Sequence, residues 1–212
     1  CSRGGGRMQV PSLDLDYFLS FTVLAEPLNV TSSAVAAIFG QFQLSKPMLR
    51  FDEPLDLNQM YVCAPPTGGA HPHKVVLYAP QSDIGSTVLI TNRQDGWSSL
   101  SYQLAKRLGA RIAQIIATQH GVEYPQVYFH AWVAGAERAV VCMRDSHAWV
   151  FQAQGQELPF EELSAYSARR VSKRLTRERA LSYVRAMGWD AVDPNFWQTG
   201  RNAVYFQQAT VN

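Results

Sequence analysis

The sequence predicts an α+β fold in which a mainly antiparallel sheet has helices packed on one face. Short apolar segments rich in β-branched residues alternate with turn residues between positions 74 and 153, which is typical of antiparallel strands. An amphipathic helix interrupts these segments, and the last third of the chain is predominantly helical in pattern. We therefore expect a β-hairpin, a helix and a β-meander, followed by two C-terminal helices.

The composition is that of a globular chain. Of the 212 residues, 47% are hydrophobic and only 17% are charged, the opposite of the balance found in disordered proteins. No apolar run approaches the roughly 18 residues that span a bilayer. A net charge of +2 is too small to indicate a nucleic acid or an anionic membrane as the partner. The three widely spaced cysteines, Cys1, Cys63 and Cys142, favour reduced thiols and a cytoplasmic location.

An N-terminal subregion is predicted over positions 8–72. We interpret residues 1–7 as a tag or upstream remnant before Met8, although Cys1 would also suit a processed lipoprotein. Within residues 8–72, the pattern predicts a strand over 17–24, a short helix over 34–44 and a candidate strand over 60–64. A proline–glycine breaker over 65–69 then marks a loop or a boundary. The main body is expected to span residues 73–212 and to form one compact unit with the subregion.

The best-specified local structure lies between Thr87 and Gly109. An apolar strand and a polar turn lead to Ser98, which is predicted to be the N-cap of an amphipathic helix ended by Gly109. Trp97 and Tyr102 have the spacing of a hydrophobic staple around that cap. The preceding strand pairs with residues 75–78 as a hairpin, and a further strand is predicted over 111–116.

Three short strands and a helical region are predicted to complete the chain. Strands over 126–133, 138–143 and 147–153 have short connections, which makes them antiparallel neighbours in a meander. Pro159 is expected to open the first C-terminal helix, and Thr176 is expected to cap the second, which Gly188 ends. Residues 203–206 are predicted to form a last edge strand.

A run of basic residues is the most unusual local feature. Seven cations lie within seventeen residues and are opposed only by Glu178: Arg169, Arg170, Lys173, Arg174, Arg177, Arg179 and Arg185. On a helix, four of them would share an arc of about 140°. The run is either a solvated face whose arginines pair with acidic residues elsewhere, or a docking surface for an acidic protein or for phosphates. Because it lacks interleaved aromatics, a protein partner is favoured over nucleic acid.

Histidine and cysteine residues offer a second, enzymatic interpretation. His130 and His147 lie on strands that flank the strand carrying Cys142, so the three side chains could meet in a Cys–His or metal site. The competing interpretation is that strand alternation alone explains their spacing and that Cys142 is a core residue.

Other polar groups give weaker indications. His71 and His73 lie beside a proline–glycine loop without a nearby carboxylate, and Asp14 and Asp16 lack a third ligand. No nucleotide-binding loop, nucleophile elbow or zinc-protease motif is present. The sequence therefore predicts neither a metal nor another cofactor.

The residues that follow the hairpin resemble small bacterial proteins of the polymorphic-toxin immunity type. The resemblance covers roughly residues 74–190 and depends on a succession of turn, aromatic and basic residues: Asn92, Asp95 to Leu100, Arg138, Trp149, Pro159 to Glu161, Tyr166, Arg169, Arg170, Arg174, Tyr183 and Gly188. Immunity proteins share no common active site, so the resemblance implies a binding role.

We therefore expect a non-enzymatic protein that occludes the active site of a toxin. The predicted partner contacts are Arg169, Arg170, Lys173, Arg174, Arg177 and Trp97. A hydrolase that uses His130, Cys142 and His147 is the first alternative, and a nucleic-acid-binding protein that uses the basic helices is the second. The sequence predicts no oligomeric state.

Overall fold

The fold is α+β, and within the described residues nine strands form one antiparallel sheet. The computed structural model describes residues 18–42, 46–60, 72–118 and 122–209. The strands are β1 (Phe18–Leu24), β2 (Met48–Glu53), β3 (Lys74–Tyr78), β4 (Thr87–Thr91), β5 (Ile112–Thr118), β6 (Gln126–Val133), β7 (Ala136–Asp145), β8 (Ala148–Gln154) and β9 (Ala203–Gln208). The helices are α1 (Leu28–Gln41), α2 (Ser98–Leu108), α3 (Leu163–Tyr166) and α4 (Arg177–Ala186). Single turns of 3-10 helix occupy Leu57–Gln59, Val171–Lys173 and Pro194–Trp197.

The strands lie in the order β2-β9-β3-β4-β1-β5-β6-β7-β8, and every neighbouring pair is antiparallel. The predicted hairpin is β3–β4, and the predicted meander is β6–β7–β8, so both are confirmed. Strand β1 lies between β4 and β5, which means that the N-terminal subregion supplies a central strand of the same sheet. The predictions for residues 1–7, Asp14, Asp16, Cys63 and His71 lie outside the described residues.

Helices cover both faces of the sheet, so their predicted placement on one face was wrong. Val75 and Leu77 of β3 pack in a cluster with α1 and α2, whereas Val76 and Tyr78 pack in a cluster with α4 and the turn Pro194–Trp197. Because successive side chains of a strand point to opposite faces, the two clusters lie on opposite sides of the sheet. The central strands therefore bury side chains on both faces, and the C-terminal part of the chain forms the second layer of helices.

Several predicted boundaries needed correction. Helix α1 begins at Leu28, well before the predicted start, and the polar residues at its beginning are accommodated because Ser33 donates a hydrogen bond to the Asn29 carbonyl. Strand β9 is not an edge strand, because it lies between β2 and β3. Strand β2 was not predicted, since its partner β9 comes near the other end of the chain and no local turn signals the pairing. Of the candidate strand over 60–64, only Met60 lies within the described residues, and it follows a 3-10 turn.

The start of α2 also differs from the prediction. Trp97 rather than Ser98 is the N-cap, in the left-handed conformation (φ 53°), and its backbone N–H donates to Asp95 Oδ1. The hydroxyl of Ser98 donates to the Asp95 carbonyl instead of accepting from the helix. Trp97 packs on Phe39, with the ring centroids 5.3 Å apart, while Tyr102 is exposed. The turn before α2 is therefore organised by Asp95, and Trp97 anchors α2 to α1.

The two predicted C-terminal helices differ in outcome. Helix α4 begins after Thr176, whose hydroxyl accepts a hydrogen bond from the Arg179 N–H, as predicted. The first helix is reduced to the four residues of α3, followed by the 3-10 turn Val171–Lys173. Across the residues that the structure describes, no helix is long and apolar enough to cross a membrane.

Candidate functional site

Residues 166–177, from the end of α3 to the start of α4 and here called the wall segment, cross one end of the meander and form one side of a cavity. Its path is fixed by three contacts with β7 and β8. The Cys142 thiol donates to the Val171 carbonyl (3.2 Å), the Tyr166 ring lies 5.1 Å from the ring of Phe151, and the Arg174 guanidinium lies 5.6 Å above the same ring. The segment is therefore packed against the sheet although only short turns of it are helical.

The cavity holds about 250 Å³ and contains three of the predicted contact residues. Arg170, Lys173 and Arg177 line it on the side of the wall segment, and Val127 and Trp149 line it on the side of the sheet. Trp149 is 37% exposed, so its indole is open at the cavity mouth. The site thus combines positive charge with an aromatic and aliphatic wall, and its arginines and tryptophan are residue types enriched at positions that dominate binding energy in protein interfaces.

Apart from Arg169, the basic residues of the run divide into two groups. Those with structural contacts include Arg174, which donates to the Ala168 carbonyl (3.0 Å), and Arg179, which donates to Glu162 Oε2 (2.9 Å) and to the Lys173 carbonyl (2.8 Å). Arg185 forms an ion pair with Asp190. These three residues agree with the interpretation that the arginines pair with other groups of the chain, and Arg174 and Arg179 also stabilise the path of the wall segment.

The second group faces the cavity. Arg170 and Lys173 are exposed, and among the described residues no carboxylate forms an ion pair with either of them. Arg177 is only 8% exposed and also lines a second cavity with Glu178 and Asp190. Arg169 is exposed, but it does not line either cavity. The four cations expected to share one helical arc are Arg169, Arg170, Lys173 and Arg174. Of these, Arg170 and Lys173 line the cavity but Arg169 does not and Arg174 packs on Phe151, so that prediction was wrong.

Trp97, the sixth predicted contact, lies elsewhere. It is 7% exposed and is enclosed by Phe39, the ring of His73 at 4.9 Å and the guanidinium of Arg93 at 5.5 Å. A side chain so enclosed offers little surface to a partner, so its observed contacts are those of a core residue.

A buried ion pair anchors the chain just before the wall segment. Arg138 of β7 forms a two-point contact with Glu161, through Nε to Oε1 at 2.8 Å and Nη2 to Oε2 at 2.6 Å. Glu161 also accepts from the Leu158 N–H (2.8 Å) and the Tyr166 hydroxyl (2.7 Å). Burial alone would raise the pKa of the Glu161 carboxyl, but these hydrogen bonds outweigh it and hold the pKa below its usual range. No local pattern in the sequence indicates this pair, because its members lie on separate elements far apart along the chain.

The proposed catalytic residues do not meet. Cys142 is paired with Val127 and Phe151, on the buried face that packs against the wall segment. His130 is separated from Val127 by an odd number of positions and therefore points to the opposite face, while His147 is exposed in the β7–β8 turn. The structure therefore does not bring together the three side chains that the enzymatic alternative requires, and it agrees with the competing interpretation that Cys142 is a core residue.

The chemistry of these groups agrees with their positions. Burial raises the pKa of the Cys142 thiol, which disfavours the reactive thiolate. Burial lowers the pKa of His130, an effect that Glu137 opposes. Within residues 18–42, 46–60, 72–118 and 122–209, no group of three or more His, Cys, Asp or Glu side chains could hold a metal ion.

Comparison with known proteins finds no matching protein family, no matching curated protein and no matching solved structure. A functional proposal therefore depends on the residues of this chain alone.

Proposed function

We propose that this protein is a non-enzymatic binding protein whose cavity receives an acidic side chain of another protein. The single observation that supports this most strongly is the grouping of Arg170, Lys173 and Arg177 with Trp149 around one cavity. Tryptophan and arginine are the residues most enriched among positions that dominate binding energy. Within the described part of the chain, Arg170 and Lys173 have no carboxylate partner, so their charge would also speed the encounter with an acidic surface.

The size of the cavity favours a side chain over a small-molecule ligand. At about 250 Å³ it falls below the range of about 300–1,000 Å³ that is usual for ligand and cofactor pockets. A glutamate or aspartate could pair with the guanidinium of Arg170 in two-point geometry while its aliphatic part contacts Trp149. The partner surface around that side chain would then be covered by the wall segment and the end of the meander.

The same geometry suits an immunity-type inhibitor in the bacterial cytoplasm. Toxins that act on nucleic acids or peptides need an open active site, and a rigid cationic surface can close it without any chemistry of its own. The resemblance of residues 74–190 to immunity proteins supports this form of the proposal. The enzymatic alternative has no comparable support, since His130 and Cys142 point to opposite faces of the sheet.

Charge reversal at the cavity tests the proposal. The variant Arg170→Glu/Lys173→Glu changes two exposed side chains and should leave the fold intact, whereas Arg174 is unsuitable because it packs on Phe151. Lys106→Glu/Arg107→Glu on α2 is the matched control, because it makes the same change in net charge at exposed positions away from the cavity. Native and variant proteins are immobilised and exposed to lysate of the source cell, with nuclease-treated lysate in parallel.

We expect to capture a protein that binds both the native chain and the α2 control and that binds the cavity variant at least about 30-fold more weakly. A loss of this size is usual when a dominant contact of an interface is removed.

An NMR titration tests the preference for acidic groups directly. The indole N–H signal of Trp149 is followed while a triglutamate peptide is added, with trilysine as the control. Equal capture by native and cavity variant would contradict the proposal. Capture that disappears after nuclease treatment, with a steep salt dependence, would instead support the nucleic-acid alternative.

A further inference from the structure

Strand β8 forms one end of the sheet and has a free edge. It pairs with β7 along its whole length, and in the part of the chain that the structure describes no strand lies on its other side. Every second residue of an edge strand directs its N–H and C=O groups away from its neighbour. Such a row of backbone groups is a template for another strand.

The free edge of β8 lacks the features that normally prevent strand pairing. Its residues, Ala148 to Gln154, include no charged side chain and no proline. The other end of the sheet, β2, carries Arg50, Asp52 and Glu53 on a strand of similar length. Charged residues on an edge strand discourage association, so β2 is protected in the usual way and β8 is not.

We propose that β8 pairs with β8 of a second copy of this chain, antiparallel and about a twofold axis through Phe151. This register pairs all seven residues of the strand and therefore makes the largest possible number of hydrogen bonds. It sets Ala148 opposite Gln154, Trp149 opposite Ala153, and Val150 opposite Gln152 of the second copy. No pair brings like charges together, and the large Trp149 faces a small alanine, which makes the strand complementary to itself.

The open face of the meander supports a second copy as the occupant. Tyr128, Val141 and Val150 occupy neighbouring strands on the face opposite Cys142, and all three are only partly buried. Pairing through β8 would join the sheets of the two copies into one continuous sheet. On this face Val150 would lie opposite Gln152 of the second copy and diagonal to its Val150, so apolar side chains of both copies would lie near the axis, and the two cavities would open on the other side.

The basic residues near β8 do not prevent this pairing. Trp149 lies at the mouth of the cavity, so the distance between the two Trp149 residues indicates how far apart the two cavities are. In the proposed register they are offset by four positions along the strand, which corresponds to about 13 Å. The two Trp149 residues are therefore farther apart than the screening length of about 8 Å at physiological salt, and repulsion between the cations of the two cavities is reduced further by added salt. Added salt should therefore leave the dimer unchanged or strengthen it, whereas it should weaken binding of an acidic protein partner.

Sedimentation velocity of the full chain tests the proposal. We expect the protein to be mainly dimeric at about 100 µM, because a micromolar Kd gives nearly complete association at that concentration. The variant Ala148→Lys/Gln154→Lys places like charges directly opposite each other at both ends of the pairing, and Ala148→Glu/Gln154→Glu does the same with negative charge. Both positions are exposed, so the monomer fold should be unaffected, which circular dichroism and the Tm verify.

Each variant alone should dimerise at least about tenfold more weakly, because like charges directly opposite destabilise a pair of strands. An equimolar mixture of the two should recover the dimer through opposite charges. Leu49→Lys, at an exposed position on β2, is the control and should leave the dimer unchanged. A monomeric native chain at the highest concentration, a dimer indifferent to both β8 variants, or dissociation by Leu49→Lys would each overturn the proposal.

Discussion

Neutralising Glu161 should remove a large part of the stability of this fold. The side chains of Arg138 and Glu161 are 5% and 0% exposed, and both carboxylate oxygens accept hydrogen bonds from the guanidinium. Glu161→Gln keeps the shape of the side chain but leaves the guanidinium buried without its counter-charge. Breaking a buried pair in this way costs about 3–5 kcal/mol. Because domains have total stabilities of about 5–15 kcal/mol, the loss should be evident in any equilibrium measurement.

Urea unfolding followed by tryptophan fluorescence measures this loss. We expect the midpoint for Glu161→Gln to fall by more than about 1 M urea at pH 7. The double variant Arg138→Met/Glu161→Gln should regain at least about 1 kcal/mol over Glu161→Gln, because it no longer buries an uncompensated charge. A loss of stability below about 1 kcal/mol for Glu161→Gln would refute the reasoning. So would additivity, in which the loss for the double variant equals the sum of the losses for Glu161→Gln and for Arg138→Met measured separately.

The pH dependence provides a second measurement of the same pair. The pKa of Glu161 is lower in the folded chain than its usual value of about 4.3, so its contribution is complete above that value. The contribution is lost as the pH falls through the folded pKa, because protonation then removes the charge. Native protein should therefore lose stability in acid more steeply than Glu161→Gln. Parallel acid profiles would show that another carboxylate is responsible.

Three further predictions concern single positions. Gly155→Ala should destabilise the fold by at least about 2 kcal/mol in urea unfolding, because its φ is 85° and the new Cβ would lie 2.0 Å from the Glu137 carbonyl oxygen; Gly200→Ala, with open space around it, should be nearly neutral. Cys142, buried and with its thiol pKa raised, should react with a thiol reagent only as fast as the chain unfolds; rapid reaction in the native protein would contradict the observed burial. His130, with a lowered pKa, should contribute stability that is present above the usual histidine pKa of about 6.5 and is lost as the pH falls through the folded pKa; His130→Gln should flatten that part of the profile, and an NMR titration of its ring above 6.5 would disprove the sign.

The parts of the fold that the sequence predicts correctly are those that depend on short-range signals. The β3–β4 hairpin, the β6–β8 meander and the start of α4 each depend on a turn or a cap within a few positions of the element. Strand β2 cannot be found in this way, because its partner β9 is the last strand of the chain and pairing at that distance leaves no local pattern. The start of α1 is missed for a different reason. Asn, Thr and Ser favour caps and turns in isolation, but here Thr31 and Ser32 are buried inside the helix by tertiary packing.

For the candidate site, the sequence shows which residues are present but not where the fold places them. The run of cations is evident in the sequence, but the helical arc predicted for it assumes a regular backbone from residue 160 onward. Glu161 follows Pro159 at the predicted start of the first C-terminal helix, whereas in the structure it is the buried partner of Arg138. A contact between residues on different elements, far apart along the chain, cannot be read from periodicity. The position of Trp149 at the cavity likewise follows only from the packing of the wall segment against β8.

The irregular backbone of the wall segment is the reason why a cavity forms at all. A continuous helix over residues 163–175 would present its cations on a convex surface, where each would be separately hydrated and would contribute little to binding. Instead, the Arg138–Glu161 pair holds the chain at one end and the Thr176 cap holds it at the other. Between these two points, the contacts of the wall segment with Cys142 and Phe151 hold it against the sheet. Arg170 and Lys173 therefore line the same cavity as Trp149. The stability of a buried ion pair and the shape of the proposed binding surface are therefore parts of one arrangement, and loosening the pair should weaken partner binding even though neither residue lines the cavity.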